Sequence, residues 1–104
     1  MKLPINPNDY DADTVYCPCC KNNYLHHTGV RVFDRDEDDE NVVMTVVENN
    51  ATSVKTIPSK DAKNPSSRRH GIRISFWCEH CDTIPYDLVI SQHKGCTFLG
   101  WEEK

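Results

Sequence analysis

After Gly29, apolar residues recur at every second position in several short segments, and no segment carries a 3.6-residue apolar period over three turns. Gly29 to Phe33 is rich in β-branched residues, with Val30 and Val32 on one face. Asn41 to Glu48 is the strongest strand pattern: Val42, Met44 and Val46 point one way, Val43, Thr45 and Val47 the other. Both its faces are largely apolar, which predicts a central strand covered on two sides. A weaker strand is predicted from Ser53 to Ile57. Another runs from Gly71 to Trp77, where Ile72, Ile74 and Phe76 alternate with Arg73, Ser75 and Trp77. Tyr86 to Gln92 and Cys96 to Trp101 form a hairpin across His93-Lys94-Gly95, with Gly95 suited to a left-handed turn position. Turn-forming residues separate these runs: the acidic stretch Asp34 to Glu40, Asn49-Asn50, and the Pro- and Ser-containing loop Pro58 to Ser67. The predicted fold class is all-β or nearly so, a small antiparallel sheet.

Length and charge narrow the picture. A chain of 104 residues makes one small domain with a modest core. Residues 1–15 are polar and aperiodic and read as an N-terminal arm, leaving 16–104 as the domain. The opening Met1-Lys2-Leu3-Pro4-Ile5-Asn6 has no apolar signal region, and Val42 to Val47 is too short to span a bilayer. A cytoplasmic location is expected, with no membrane partner. The net charge of −4 argues against strong non-specific nucleic-acid binding by the whole molecule. Averaging hides two segments, however. Residues 1–50 hold 4 Lys/Arg and 10 Asp/Glu, or −6; residues 51–104 hold 8 and 6, or +2.

Six cysteines in a reducing compartment point to metal rather than disulfides. Cys17-Pro-Cys-Cys20 and Cys78-Glu-His-Cys81 are two C-x-x-C pairs. Each pair can hold one side of a tetrahedral ion, with turn amides donating to the thiolates. Cys17, Cys20, Cys78 and Cys81 are the expected ligands of a closed Zn²⁺ site, although the same thiolates also suit iron. Cys19 leaves the assignment within the first pair open, since it could stand in for Cys17 or Cys20. Cys96 reads as a small buried apolar residue.

Two such knuckles resemble those of zinc-ribbon proteins, in which knuckles at the ends of β-hairpins share one zinc. The spacing departs from that pattern, because 57 residues (21–77) separate the pairs. A sheet of about three strands between the knuckles, its ends tied by zinc, would account for it. The runs Asn64 to Gly71, Phe76 to Cys81 and Gln92 to Gly95 also look like those of short uncharacterised bacterial and phage proteins. That resemblance implies the metal site and the fold, and no activity.

Away from the cysteines, residues 55–73 carry Lys55, Lys60, Lys63, Arg68, Arg69 and Arg73 against Asp61, a net +5. Ser66-Ser67-Arg68-Arg69, with His70 beside it, could hold a phosphate through hydroxyls, amides and guanidinium forks. An exposed Arg73 and Trp77 on one strand face could extend that patch with a platform for a base. The plainer reading is a solvated basic loop, or one paired with the acidic loop. Asp34, Asp36, Asp38 and Glu40 alternate as Ca²⁺ ligands do, but the EF-hand glycine is missing, and a solvated hairpin tip is the simpler account. Adjacent His26 and His27 would point to opposite strand faces and cannot easily share an ion.

These features favour a non-enzymatic, zinc-stabilised β-domain that binds a macromolecule, with a protein preferred over nucleic acid as partner. Two alternatives remain: a small metal-dependent enzyme, and an acidic decoy or inhibitor protein of phage type. No Ser/His/Asp set, HExxH or phosphate-binding glycine loop is present.

Overall fold

The computed structural model describes residues 14–104. Nearly all of the expected N-terminal arm, residues 1–13, lies outside them. The strands are β1 (Leu25–Asp34), β2 (Asn41–Glu48), β3 (Ala51–Pro58), β4 (Gly71–Cys78), β5 (Asp82–Thr83), β6 (Tyr86–His93) and β7 (Cys96–Glu103), with one 3₁₀ turn at Ser59–Asp61. They form a single antiparallel sheet in the order β3-β2-β1-β4-β6-β7. β5 pairs with the end of β4, and β6 with its beginning. The fold is all-β, as the alternation predicts.

Short-range chemistry explains the hairpins. Asn49 and Asn50 both take positive φ, 52° and 61°, between β2 and β3. Lys94 and Gly95, at 51° and 79°, do the same between β6 and β7. Two consecutive left-handed residues make the tight turn whose twist matches that of paired strands.

The longer connection, residues 59–70, carries the chain from the edge strand β3 to β4 by crossing one face of the sheet. Ala62 is buried there against Phe33 and Val42, with Met44 and Ile57 around them. Gly71 lies beneath the crossing. A Cβ on it would fall on Asn64 Oδ1 and only 2.7 Å from the Pro65 ring. Gly71→Ala is therefore expected to push the loop off the sheet at roughly 1–3 kcal/mol, the usual range for overpacking. Urea unfolding checks this, and unchanged stability would show that the loop is not held by this approach.

Residues paired across strands share a face of the sheet. The face under the crossing holds Phe33, Val42, Val46 and Val89, and also Arg73 and Asp87. Val43, Thr45 and Val47 lie on the opposite face, where every side chain of the central strands except Cys78 at the end of β4 stays partly or fully exposed. Here the expectation that β2 is covered on both sides is corrected. An apolar pattern on two faces shows what a strand would bury, but not whether the chain has a second layer to cover it.

A second, separate core holds Cys17, Cys78 and Ile84, flanked by Leu25, Phe76 and Trp101. It sits at the end of the sheet where β1 begins and β4 ends, and it contains the cysteines.

Candidate metal centre

β1 and β4 are antiparallel neighbours, so the start of one lies beside the end of the other: Leu25 pairs with Cys78. This register removes the long sequence separation of the two knuckles. The first knuckle precedes β1, and the second is the tip of the β4–β5 hairpin. Four strands, β1 to β4, lie between them rather than the three or so expected.

Both knuckles turn in the same way. The Lys21 amide donates to the Cys17 carbonyl (3.0 Å) and the Cys17 amide to the Asn22 carbonyl (2.7 Å). Lys21 and Asp82, each the residue after the second cysteine of its pair, take positive φ of 65° and 62°. The left-handed residue reverses the chain and turns amides toward sulfur. The Cys19 amide donates to Cys17 Sγ, the Asn22 amide to Cys20 Sγ and the Cys81 amide to Cys78 Sγ, each at 3.4 Å. The Glu79 amide donates to the Tyr24 carbonyl (3.2 Å), which joins one knuckle to the other.

The sulfur atoms of Cys17, Cys20, Cys78 and Cys81 lie within 4.8 Å of one another. Cys20 and Cys78 sulfurs are 3.6 Å apart. Cys17 and Cys78 are fully buried, while Cys20 and Cys81 are half-buried. Cys19, the ambiguous residue of the first knuckle, projects into solvent, and only its backbone amide serves the cluster.

Protonation follows from this crowding. Burial opposes ionisation of Cys17, but the Cys20 and Cys19 amides and the neighbouring thiols outweigh it and bring its thiol down to about 7. Cys81 is pushed up to about 12, chiefly because it hydrogen-bonds to Cys20 and then because it is desolvated. Sulfurs this close cannot all ionise without a cation among them. Four thiols arranged in this way could hold a metal ion.

No protein-family model, curated protein or solved structure matches the chain. The chemistry of the site rests on its own donor set.

The structure treats the other candidate residues differently. Arg68 makes a bidentate pair with Asp38 (Nε–Oδ1 3.0 Å, Nη2–Oδ2 2.6 Å) and reaches Glu37 at 3.3 Å. That pair holds the Asp38 carboxyl below its ordinary range, and Asp38 raises the Arg68 guanidinium in turn. Arg35 donates to the carbonyls of Asp39 and Ser67. The acidic tip and the basic loop are thus locked together. The amides expected to cradle a phosphate are also engaged: those of Arg68 (3.3 Å) and Arg69 (3.0 Å) donate to Ser66 Oγ, which donates to the Gln92 carbonyl (2.6 Å). His70 Nδ1 accepts the Arg35 amide at 3.1 Å. Its lone pair is used there, so the 3.3 Å approach of Asp34 is not a charge pair. Arg69 is exposed.

Arg73 is a correction. It was expected to be exposed beside Trp77, yet only 7% of its surface is accessible. It pairs with the buried Asp87 at 3.1 Å, donates to the Lys63 carbonyl at 2.7 Å, and reaches Glu102 at 3.3 Å. Ser75 Oγ donates to the other oxygen of Asp87. Sequence reasoning missed Asp87 altogether. The available signal was an arginine set among isoleucines in one strand and an aspartate before Leu88-Val89-Ile90 in another. Trp77 is exposed, its ring tilted against that of His26 with centroids 5.3 Å apart. Cys96, expected to be buried, is exposed at the start of β7, an edge strand.

Proposed function

We propose that this chain is a non-enzymatic β-domain held together by a structural zinc ion and used to bind a protein partner. The observation that carries the reading is the closed set of four cysteine sulfurs. A tetrahedral ion with Zn–S bonds of ~2.3 Å has sulfur–sulfur edges of about 3.8 Å, close to the 3.6 Å between Cys20 and Cys78. A catalytic zinc normally keeps one position open, whereas four thiolates fill the shell. Cys17, Cys20, Cys78 and Cys81 would hold the ion, and the Cys19, Asn22 and Cys81 amides would stabilise the thiolate charge. In zinc ribbons, likewise, two knuckles beside paired strands share one ion. Reduced thiols suit a cytoplasmic protein, and among the described residues no helix is long and apolar enough to cross a membrane.

Two features weigh against the other classes. A cavity of about 770 Å³ lies away from the cysteines and is lined by ion-paired or loop residues such as Arg35, Asp38, Lys60 and Ser66. The acidic tip proposed as a decoy is partly neutralised by Arg68 and Arg35. Nucleic-acid binding loses its main donors to the contacts of Arg68 and Arg73.

Cobalt substitution tests the reading. Four-thiolate charge-transfer bands with no exchangeable water are expected, and a water-bearing ion would favour the metal-dependent enzyme. Native mass spectrometry of protein purified from cells separates zinc from iron. Oligonucleotide titrations across a salt series are expected to show weak binding. Tight binding with a steep salt slope, flattened by Arg68→Ala with Arg69→Ala, would replace the protein partner with nucleic acid.

A further inference from the structure

The sheet face opposite the crossing loop carries two continuous rows of side chains over all six paired strands. One is Thr52–Val47–Val30–Ile74–Leu88–Trp101. The other is Val54–Thr45–Val32–Ile72–Ile90–Leu99. Neither row contains a charge. None of these side chains is fully buried, and Val54 is 64% exposed. At one end Trp101 packs into the cysteine core; among the described residues the rest of the two rows stays partly or fully exposed.

We propose that this face is the interface of a two-fold dimer, with a second copy of the chain supplying the missing layer. The inference rests on the protein-binding reading above and names the partner.

Size favours it. Six strands ~4.8 Å apart, carrying two rows ~6.7 Å apart along the strands, give a face of roughly 25–30 Å by about 13 Å, or about 330–400 Å² in projection. Monomers rarely expose an apolar patch beyond a few hundred Å². The accessible area of a corrugated face exceeds its projection, and with a polar rim around it such a patch suits the apolar centre of an interface in which each partner buries ~800 Å².

Architecture and charge favour it as well. A sheet with one apolar face open is half of a two-layer domain. A second copy presents a face of the same width and twist, so two can pack as aligned sheets about 10 Å apart. Each chain carries −4, yet the two rows are neutral, so association brings no charge onto charge. The Arg73–Asp87 pair lies on the other face, away from the contact.

The test is sedimentation of the full, metal-loaded chain over a concentration series from micromolar to hundreds of micromolar. The expected mass is twice the 12.0 kDa of one chain. Ile74→Lys and Val32→Lys, in the middle of the rows, are each expected to weaken dimerisation at least roughly a hundredfold, because each buries an unpaired charge. Isotope-filtered methyl NOEs on a mixed labelled and unlabelled wild-type sample keep the test decisive if a variant fails to fold. Intermolecular contacts among Val32, Ile72 and Ile74 support the dimer. A dimer joined elsewhere overturns it, as does one that survives both lysines. A monomer whose face remains open overturns the second copy while leaving a different protein partner standing. A monomer whose face contacts its own residues 1–13 overturns both readings.

Discussion

Chelation of a metal held by the four cysteines, or Cys78→Ser, is expected to unfold the domain rather than loosen one end of it. The argument starts from the small cores. One holds Phe33, Val42 and Ala62; the other holds Cys17, Cys78 and Ile84. The first is too small to sustain a sheet of seven strands by itself. Cys78 is fully buried, and its neighbours in the cluster include the half-buried Cys20 and Cys81. Structural zinc binding is worth on the order of 10–16 kcal/mol, against a whole folding stability of about 5–15 kcal/mol for a small domain. Circular dichroism with and without a chelator, alongside metal quantification, checks the expectation. Cys19→Ser is the matched control and should leave both the metal content and the melting temperature unchanged, because that side chain faces solvent. A melting curve that stays put after verified loss of the ion would remove the metal from the account of stability.

The second large effect is expected at Asp87→Asn. Arg73 and Asp87 are buried together, with 8% and 3% of their side chains accessible. Removing one charge strands the other in a low-dielectric site, at about 3–5 kcal/mol. Arg73→Met should lose a similar amount by stranding Asp87, which would keep only Ser75 as a partner. Arg73→Met with Asp87→Leu should lose much less than the sum, because a well-packed apolar pair can replace a buried ion pair at little net loss. Urea unfolding of the four proteins at one fixed concentration completes the cycle. At about 4–8 °C per kcal/mol for a domain of this size, either single change should also be plain in thermal melts. Additive losses, or single losses below about 1 kcal/mol, would mean that water reaches the pair and screens it.

Arg73 also shows where reading the chain as a string fails. Its alternation with Ile72 and Ile74 places it on one face of β4, and that much is local. Whether the face is wet depends on residues 59–70 crossing it, which brings the Lys63 carbonyl to the guanidinium, and on β6 bringing Asp87 alongside. Arg68 makes the same point on the surface. It was expected either to bind a phosphate or to pair with the acidic loop, and Asp38 settles its contacts. Val43 and Val47 show the reverse case, being apolar enough for a core but placed on the face that the chain leaves uncovered.

What the sequence by itself determined is everything governed by neighbours along the chain. The two-residue alternation marked six of the seven strands, although β1 begins at Leu25 rather than Gly29 and the two-residue β5 was not foreseen. Asn49-Asn50 and Lys94-Gly95 set the tight turns. The C-x-x-C spacings marked the sulfurs that can converge on one ion. The tertiary structure alone decided which of these local units meet. It placed the beginning of β1 against the end of β4 and so closed a gap of 57 residues between the knuckles. It buried Arg73 against Asp87, turned Cys19 outward, and left one apolar face of the sheet open. The physical reason is that strand order and the course of a crossing loop are set by how much apolar area is buried, and how little unpaired charge, over the whole chain. Those are sums over distant residues that no local period contains.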